Sequence, residues 1–334
     1  MTVGPALLAQ ACEVGDFVDQ FCWHKHVLLV ILMAAPPAEA VAGSVRTSLA
    51  SGRSSRGLEI GFKLAMASCL GICVAVLVIL LINVFSDGLG SLSLSFITET
   101  PSRIIPENSG IGPALAGTLW LMGVCALFII PVGVASAIYL EEYADRERWI
   151  NRFIELNIQN LAAVPSIVYG VLGLAFLVRG PIGMGNVLIA GGLTLGLLVL
   201  PVVIVAGREA IRAVPPSIRE GSMALGATKW QTIWKQTLPA SLPGIATGVI
   251  LSLSRAIGET APLIVVGAAL FATASPTSPF DDVTALPIQI FGWISDPQTE
   301  FKSLAAAGII VLMVILLAMN AVAIFLRNKY QKKW

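Results

Sequence analysis

Six long apolar stretches dominate this chain of 334 residues, and they leave it few ways to fold. They cover residues 62–85, 113–139, 158–178, 183–206, 243–271 and 304–326. A helix needs about 17 to 25 apolar residues to cross a bilayer, and the second and fifth stretches are long enough to tilt or to project beyond the lipid. Only 12% of the residues are charged, against about 25% in soluble proteins. The sequence therefore predicts an all-α membrane protein with six transmembrane helices.

The positive charges are unevenly distributed among the segments that join these stretches. One set of connections, together with the two chain ends, is rich in them: Arg46, Arg53, Arg56, Arg146, Arg148, Arg152, Arg208, Arg212, Arg219, Lys229, Lys235, Arg327, Lys329, Lys332 and Lys333. The alternate connections carry only Arg103, Arg179 and Lys302. Because cytoplasmic connections hold the excess of Lys and Arg in membrane proteins, both termini are predicted to be cytoplasmic.

Two connections stand out by their charge. Residues 139–157, "YLEEYADRERWINRFIELN", carry both signs and are expected to form a helical, solvated cytoplasmic link. The outer connection between the fifth and sixth stretches gathers Asp281, Asp282, Asp296 and Glu300. It is long enough to contact a molecule outside the cell.

The first sixty residues differ in composition from the rest and are interpreted as a cytoplasmic extension, with a membrane domain over residues 61–330. Residues 27–43 resemble the apolar core of a signal peptide, but the segment before them is long and acidic, which does not fit one. Residues 44–57 are rich in Ser, Gly and Arg, which favours a flexible lead-in. The sequence "CWHKH", residues 22–26, matches no zinc-site spacing, so no metal site is predicted.

The cytoplasmic connection at residues 207–242 is predicted to contain two short helices hinged at Gly226. Pro215 and Pro216 suit the first turn of one helix, and Pro239 and Pro243 are expected to end the other before the membrane. In the second helix one apolar face is predicted from the spacing of its large side chains, Trp230, Ile233, Trp234 and Leu238. Such a face could lie against lipid headgroups or dock into a groove of another protein.

Within this connection, "EGSMALGATKWQTIWKQTLP" resembles the cytoplasmic loop signature of binding-protein-dependent ABC importer permeases. The matching positions are Glu220, Gly226, Leu238 and Pro239, whereas Gly221, Ser222 and Gln236 depart mildly from the pattern. The resemblance implies a MetI-like, type I permease fold whose loop, a coupling helix, seats in a separate ATPase subunit. It implies that Glu220 and Gly226 shape the loop and that the Trp230 to Trp234 face fills the ATPase cleft.

The sequence "LSRAIGETAPLIVV" places Arg255 and Glu259 within the fifth apolar stretch, near its middle. A charge at the centre of a membrane helix costs about 2.5 to 3.5 kcal/mol on insertion scales. Four residues apart, the two lie on one helix face, so they could form an ion pair that only holds helices together. They could instead bind an anion, because a guanidinium fits an oxyanion with two hydrogen bonds. Phosphate keeps a proton and can donate a hydrogen bond to Glu259, whereas sulfate has no proton to donate, so the pair would favour phosphate.

The stretch "SRAIGETAP", residues 254–262, and residues 110–144 resemble the A-type subunit of phosphate-specific ABC importer permeases of bacterial inner membranes. The resemblance implies a substrate pathway that includes Arg255, Glu259, Ser254 and Thr260, with a kink or gate at Gly258 and Pro262. It also implies a heterodimer with a C-type phosphate permease, a cytoplasmic ATPase dimer that binds ATP and Mg, and an external phosphate-binding protein. No cofactor, catalytic residue or nucleic-acid partner is expected for this chain, which has no G-x-x-x-x-G-K-[ST] loop.

Two other transporter classes and one enzyme class compete with this interpretation. An ABC permease for another solute, such as sulfate, molybdate or an amino acid, would share the loop. An ion-coupled secondary transporter could use the same charged pair as a proton relay. An intramembrane enzyme is disfavoured, because the apolar stretches contain no paired aspartates, no Ser/His arrangement and no H-E-x-x-H sequence.

Overall fold

The computed structural model describes residues 56–102, 106, 109–145, 147–269 and 274–330. Most of the predicted extension, residues 1–55, and the "CWHKH" segment lie outside these residues. By its internal contacts the chain divides into two units, Met1–Val76 and Leu77–Trp334. Within the described part every regular element is a helix, apart from one isolated antiparallel bridge between Val187 and Asp282. The prediction of an all-α protein is confirmed.

The helices, numbered here in chain order, are bounded as follows: α1 Arg56–Gly88, α2 Leu94–Thr98, α3 Gly112–Ile138, α4 Trp149–Leu161, α5 Ser166–Gly173, α6 Leu188–Arg212, α7 Pro216–Ala224, α8 Lys229–Thr232, α9 Leu238–Gly258, α10 Ala261–Val266, α11 Leu286–Ile294 and α12 Glu300–Tyr330. A 3-10 turn at Leu89–Ser91 follows α1. Single π-helical turns extend α3, α5 and α8 over Tyr139–Tyr143, Leu174–Val178 and Ile233–Thr237.

Five helices in the described residues are long and apolar enough to cross a membrane. They are Glu59–Ser91, Gly112–Tyr143, Leu188–Arg212, Lys229–Ile257 and Glu300–Lys329, and they correspond to five of the six predicted spans. The fifth span differs at both ends from the prediction. Its helix continues from the cytoplasmic loop through Pro239 and Pro243 instead of ending there, and it stops at Gly258 instead of reaching residue 271.

The third predicted span is not one straight helix. Its two parts, Trp149–Leu161 and Ser166–Val178, meet at an angle of 105°. Pro165 precedes α5 with an extended backbone, φ −55° and ψ 136°, and the proline ring disfavours a helical conformation for Val164. The hydroxyl of Tyr169 donates to the carbonyl of Leu161 over 2.9 Å, which fixes the corner between the two helices.

Helix α6 lies at the centre of the second unit and packs against both α3 and α9. Close approach to α3 depends on glycine, since a Cβ atom at Gly192 would lie 2.7 Å from Val124 and one at Gly196 would lie 2.7 Å from Phe128. Small residues at such positions let membrane helices approach closely. Pro201 lies inside the same helix, where it does not prevent close packing.

Candidate transport site and coupling loop

Arg255 and Glu259 lie where the fifth span is broken. Pro262 has no N–H to donate to the carbonyl of Gly258, and α9 ends at that glycine. Glu259 follows with an extended backbone, φ −80° and ψ 111°, before the short helix α10 begins at Ala261. The prediction that both charges occupy the middle of one helix is therefore wrong. The kink expected at Gly258 and Pro262 is a complete interruption of the helix.

The two charged side chains form an ion pair beside this break. Nε of Arg255 lies 3.3 Å from Oε1 of Glu259, and the side chains are 46% and 19% exposed. Arg255 occupies the last turn of α9, where a cation interacts favourably with the negative end of the helix dipole. Nearly half of the Arg255 side chain thus remains accessible within this chain, so it can contact a solute as well as Glu259.

Ser254, the polar residue next to Arg255 in the sequence, is hydrogen-bonded within the protein. The Ser254 hydroxyl contacts the side-chain oxygen of Asn320 on α12, and it also lies 2.8 Å from the carbonyl of Ile250. Ser254 therefore ties α9 to α12 at the level of Arg255. The sequence reasoning did not identify Asn320 as a site residue. A polar amide within the apolar sixth stretch is unusual and could have indicated it. Thr260 is half-buried in the broken segment.

Gly226 ends α7 in a left-handed conformation. Its φ is +85°, a value that glycine adopts without a steric penalty. The amide of Gly226 donates to the carbonyl of Met223 over 2.9 Å, and that of Ala227 donates to the carbonyl of Ser222 over 3.2 Å. This pair of bonds is the Schellman motif, which satisfies the last carbonyls of a helix. The predicted hinge between two loop helices is confirmed.

We expect Gly226→Pro to prevent docking of the loop into the ATPase subunit that the family resemblance implies, because proline fixes φ near −65° and cannot adopt the left-handed turn. Gly226→Ala should have a smaller effect, a strain of about 1 to 2 kcal/mol. Co-purification with the ATPase measures both. Gly221→Ala is the matched control, since Gly221 lies in α7 with open space around its Cα and without a positive φ. Normal ATPase binding by Gly226→Pro would contradict this role.

The predicted apolar face of the second loop helix is divided. Trp230 and Trp234 are exposed and contact each other edge to face, with ring centroids 5.3 Å apart. Ile233 is buried instead, so the expectation that all these side chains share one docking face is wrong for this residue. At the hinge Leu225 is 91% exposed, and Glu220 is exposed on α7. The surface open to a partner therefore consists of the two indoles and the hinge.

A network of charged residues joins this loop to the membrane helices, and the sequence reasoning missed it. Glu141, at the end of the second span, is 5% exposed and accepts two hydrogen bonds from Arg212, at 3.0 and 3.1 Å. Arg208, which is 8% exposed, lies 3.7 Å from Glu141 and donates to Glu155 of α4 over 2.9 Å. The predicted solvated link at residues 139–157 is thus partly buried against α6.

Arg219 extends this network into α7. Its Nε lies 2.9 Å from Oε1 of Glu142, but the N–H is not aligned for a hydrogen bond, so the contact is an ion pair. Its terminal nitrogens donate to the carbonyls of Ile211 over 2.7 Å and Val214 over 3.3 Å. Ile211 lies in the last turn of α6, where its carbonyl also accepts the amide of Val214 over 3.2 Å, and Val214 follows the end of that helix. Arg219 therefore binds the coupling loop to α6 and to the end of the second span.

The sequence did contain a signal for this network. Glu141 and Glu142 close the second stretch, and Arg208 and Arg212 close the fourth, so opposite charges end two spans on the same predicted side of the membrane. Taken alone, the arginines indicate only the orientation of the chain in the membrane. Nothing in the sequence says that α3 and α6 are neighbours, and only that contact brings the charges together.

Asp281 organises the loop between α10 and α11, which the charge pattern predicts to be the outer one. Its carboxylate accepts hydrogen bonds from the backbone N–H of Thr277 over 2.6 Å and of Ser278 over 2.9 Å. These bonds stabilise the charged form and lower the pKa of Asp281 below its usual 3.8. The loop is in turn tied to the start of α6, where the amide of Leu188 donates to the carbonyl of Asp281 over 2.9 Å.

The outer loop should loosen in acid. Because the folded pKa of Asp281 is depressed, its stabilising contribution is complete above the unfolded value of 3.8 and is lost as the pH falls below it. A spin label on the exposed position Phe280 should become more mobile in this range. Asp281→Asn should remove the pH dependence, and an unchanged profile in that variant would contradict the assignment.

Among the residues that the structure describes, no group of three or more His, Cys, Asp and Glu side chains is arranged to hold a metal ion.

Comparison with known proteins identifies the family. Residues 129–332 match the family described as "Binding-protein-dependent transport system inner membrane component". The chain belongs to this permease family. It is 32% identical over 281 residues to the probable ABC transporter permease protein YqgI of Bacillus subtilis, covering 79% of this chain and 94% of that protein. It is 32% identical over 257 residues to the phosphate transport system permease protein PstA of Yersinia pestis, covering 76% and 85%.

Solved structures of other permeases share the fold. A bacterial alginate ABC transporter bound to its periplasmic protein matches with a TM-score of 0.55 at 16% identity, covering 81% of this chain and 96% of that one. The inward-facing MetNI methionine transporter matches with a TM-score of 0.53 at 18% identity, covering 66% and 95%. These likenesses confirm the MetI-like permease fold. This permease is thus a multi-pass membrane subunit of an ABC importer.

Proposed function

We propose that this permease imports inorganic phosphate. The observation that carries the proposal is the Arg255–Glu259 pair at the broken fifth span, whose Nε to Oε1 distance is 3.3 Å and whose guanidinium is half-exposed. Similarity to phosphate transport permeases named PstA supports the same solute.

The chemistry of the pair suits a partly protonated oxyanion. The Arg255 guanidinium presents parallel donors that match two oxygens of phosphate. The Glu259 carboxylate accepts a hydrogen bond from a protonated phosphate oxygen, and it repels an anion without a proton. In the empty state the carboxylate instead neutralises Arg255. Ser254 and Thr260 flank this pair along the pathway, and the interruption between Gly258 and Pro262 supplies a point at which the segment can move.

We further propose that the permease works as a heterodimer with a C-type phosphate permease, with both its termini cytoplasmic. A cytoplasmic ATPase dimer binds ATP and Mg, and an external phosphate-binding protein delivers the solute to the outer loops. The exposed loop residues contact the ATPase: Glu220, Gly226, Trp230, Trp234 and Pro239, with Ile233 and Leu238 packing behind them. Closure of the ATPase moves this loop, and the Arg219 and Glu141 contacts pass the motion to α6 and α3, so that the pathway opens alternately to each side.

A permease for a different solute is the second candidate. Its support is that relatives such as YqgI carry no solute in their names, and that the structural neighbours transport methionine or alginate. Such a permease would share the fold and the coupling loop, because these parts act on the ATPase and not on the solute.

Stimulated ATP hydrolysis separates the candidates. The permease complex is reconstituted in lipid vesicles and mixed with the binding protein loaded with phosphate or with sulfate. We expect phosphate alone to stimulate hydrolysis. Stimulation by sulfate and not by phosphate would overturn the proposal. Uptake that persists without the ATPase but collapses with the proton gradient would instead indicate an ion-coupled secondary transporter.

A further inference from the structure

Helix α4 has its polar and apolar faces reversed relative to a helix on the surface of a soluble protein, whose apolar face is turned toward the core. Its polar residues Asn151 and Glu155 face inward and, with the exposed Arg152, line a cavity of about 400 Å³ together with Arg208 and Arg212. The apolar residues face outward: Trp149, Ile150, Phe153, Ile154, Leu156 and Leu161 are all exposed.

The exposed apolar face is broad. At 100° per residue these six side chains spread over nearly half of the helix circumference. Trp149 is 75% exposed and Phe153 is 60% exposed. Asn157 and Asn160 interrupt the face toward its end, and the Asn157 amide donates to the carbonyl of Phe153 over 2.7 Å. So much aromatic and aliphatic surface is unfavourable in water.

The orientation of α4 is fixed by contacts at its polar face and at its end. The ion pair between Glu155 and Arg208, at 2.9 Å, holds the polar face against α6. The Tyr169 hydroxyl holds the end of the helix at the carbonyl of Leu161, beside the 105° corner with the following span. A helix bent by 105° from the apolar segment Ser166–Val178 lies roughly along the plane of the membrane when that segment enters the bilayer. The apolar face cannot rotate inward without breaking this ion pair, in which Arg208 is 8% exposed and Glu155 is 37% exposed.

We propose that α4 lies in the cytoplasmic headgroup region of the bilayer, with its outer face inserted among the lipid chains. Interfacial helices bury aromatic and leucine side chains about 5 to 10 Å below the headgroups and carry basic residues beside them. Arg148, whose side chain is 76% exposed, and Arg152 supply this positive charge next to Trp149. The lipid contact is continuous with that of α5, which exposes Ile167, Val171 and Phe176. Anionic phospholipid matches both the apolar face and the arginines.

Fluorescence quenching tests this placement. A single cysteine at Phe153 carries an environment-sensitive fluorophore in the full-length permease, with the native cysteines replaced and the complete complex reconstituted in vesicles containing phosphatidylglycerol. Lipids with a nitroxide near the headgroup should cause the loss of most of the emission, those with a deep nitroxide a smaller loss, and aqueous iodide little. A fluorophore at Gln159, which is exposed on another side of the helix, is the matched control and should respond mainly to iodide.

Two results would overturn the proposal. Equal quenching of both positions by iodide would place α4 in water. Protection of the Phe153 position from lipid and iodide alike would place a protein surface, such as the partner permease, on this face. A second label at Leu156 provides the same test if the Phe153 variant does not assemble. It should give the same response to the lipid nitroxides. The measurement needs no transport, so it is independent of the solute.

Discussion

Uptake of phosphate is expected to be abolished by Arg255→Ala, while assembly with the ATPase remains intact. The substitution removes the only cation of the pair at the broken span and leaves Glu259 to repel the anion. The loss of one charged hydrogen-bonding group costs about 1.5 to 3 kcal/mol, roughly 10- to 100-fold in binding. Electrostatic repulsion by the remaining carboxylate adds to this. Uptake of radiolabelled phosphate and co-purification of the ATPase are the two measurements.

Two further variants separate the roles of the pair. Arg255→Lys keeps the charge but not the paired donors, so it should restore uptake only in part. Glu259→Gln keeps a hydrogen-bond acceptor but removes the repulsion, so it should let sulfate compete with phosphate. Normal uptake in Arg255→Ala would mean that the pair only holds the fold together.

Unfolding of the permease should be strongly promoted by Glu141→Ala. Glu141 is 5% exposed and pairs with Arg208 and Arg212, and its loss leaves the buried Arg208 guanidinium with Glu155 as its remaining acidic contact. Removal of one partner from a buried ion pair costs about 3 to 5 kcal/mol. The midpoint of thermal unfolding, measured on the purified complex, should fall by several degrees, and ATP hydrolysis should no longer respond to the binding protein.

Asp145→Ala is the matched control for this variant. Asp145 lies on the same connection and pairs with Arg148 at 3.5 Å, but both side chains are more than half exposed. Exposed ion pairs contribute about 0 to 1 kcal/mol, so the thermal midpoint should hardly change. Equal effects of the two substitutions would show that burial of the Glu141 network has no special role.

Local patterns in the sequence were enough to predict most of the spans and the loop. Apolar length alone located five spanning helices, because the bilayer imposes a minimum length on each of them. The hinge at Gly226 was also predictable, since it depends on a glycine and on the short segments beside it. Two errors came from prolines. Pro239 and Pro243 lie at the start of α9 without ending the helix, whereas Pro165 and Pro262 mark complete breaks.

These prolines differ in their surroundings and not in their own chemistry. Pro262 is buried against α5, where a Cβ added at Gly170 would lie 2.7 Å from its Cα. That packing holds the broken segment in place. In α9 the turn before the prolines is π-helical, at Ile233–Thr237, and local π adjustments of this kind accommodate proline within a membrane helix. The sequence does not indicate whether the neighbouring helices permit a break at a proline or a continuous helix through it.

The sequence by itself determined that this protein spans a membrane, that its cytoplasmic loop bends at a glycine, and that Arg255 and Glu259 are close enough to pair. Each of these follows from residues within a few turns of one another. Only the tertiary structure decided that Glu141 meets Arg208 and Arg212, and that the polar face of α4 turns inward. Those contacts join residues dozens of positions apart, and they exist because α6 packs between its neighbours with glycine-lined surfaces, an arrangement that no local pattern encodes.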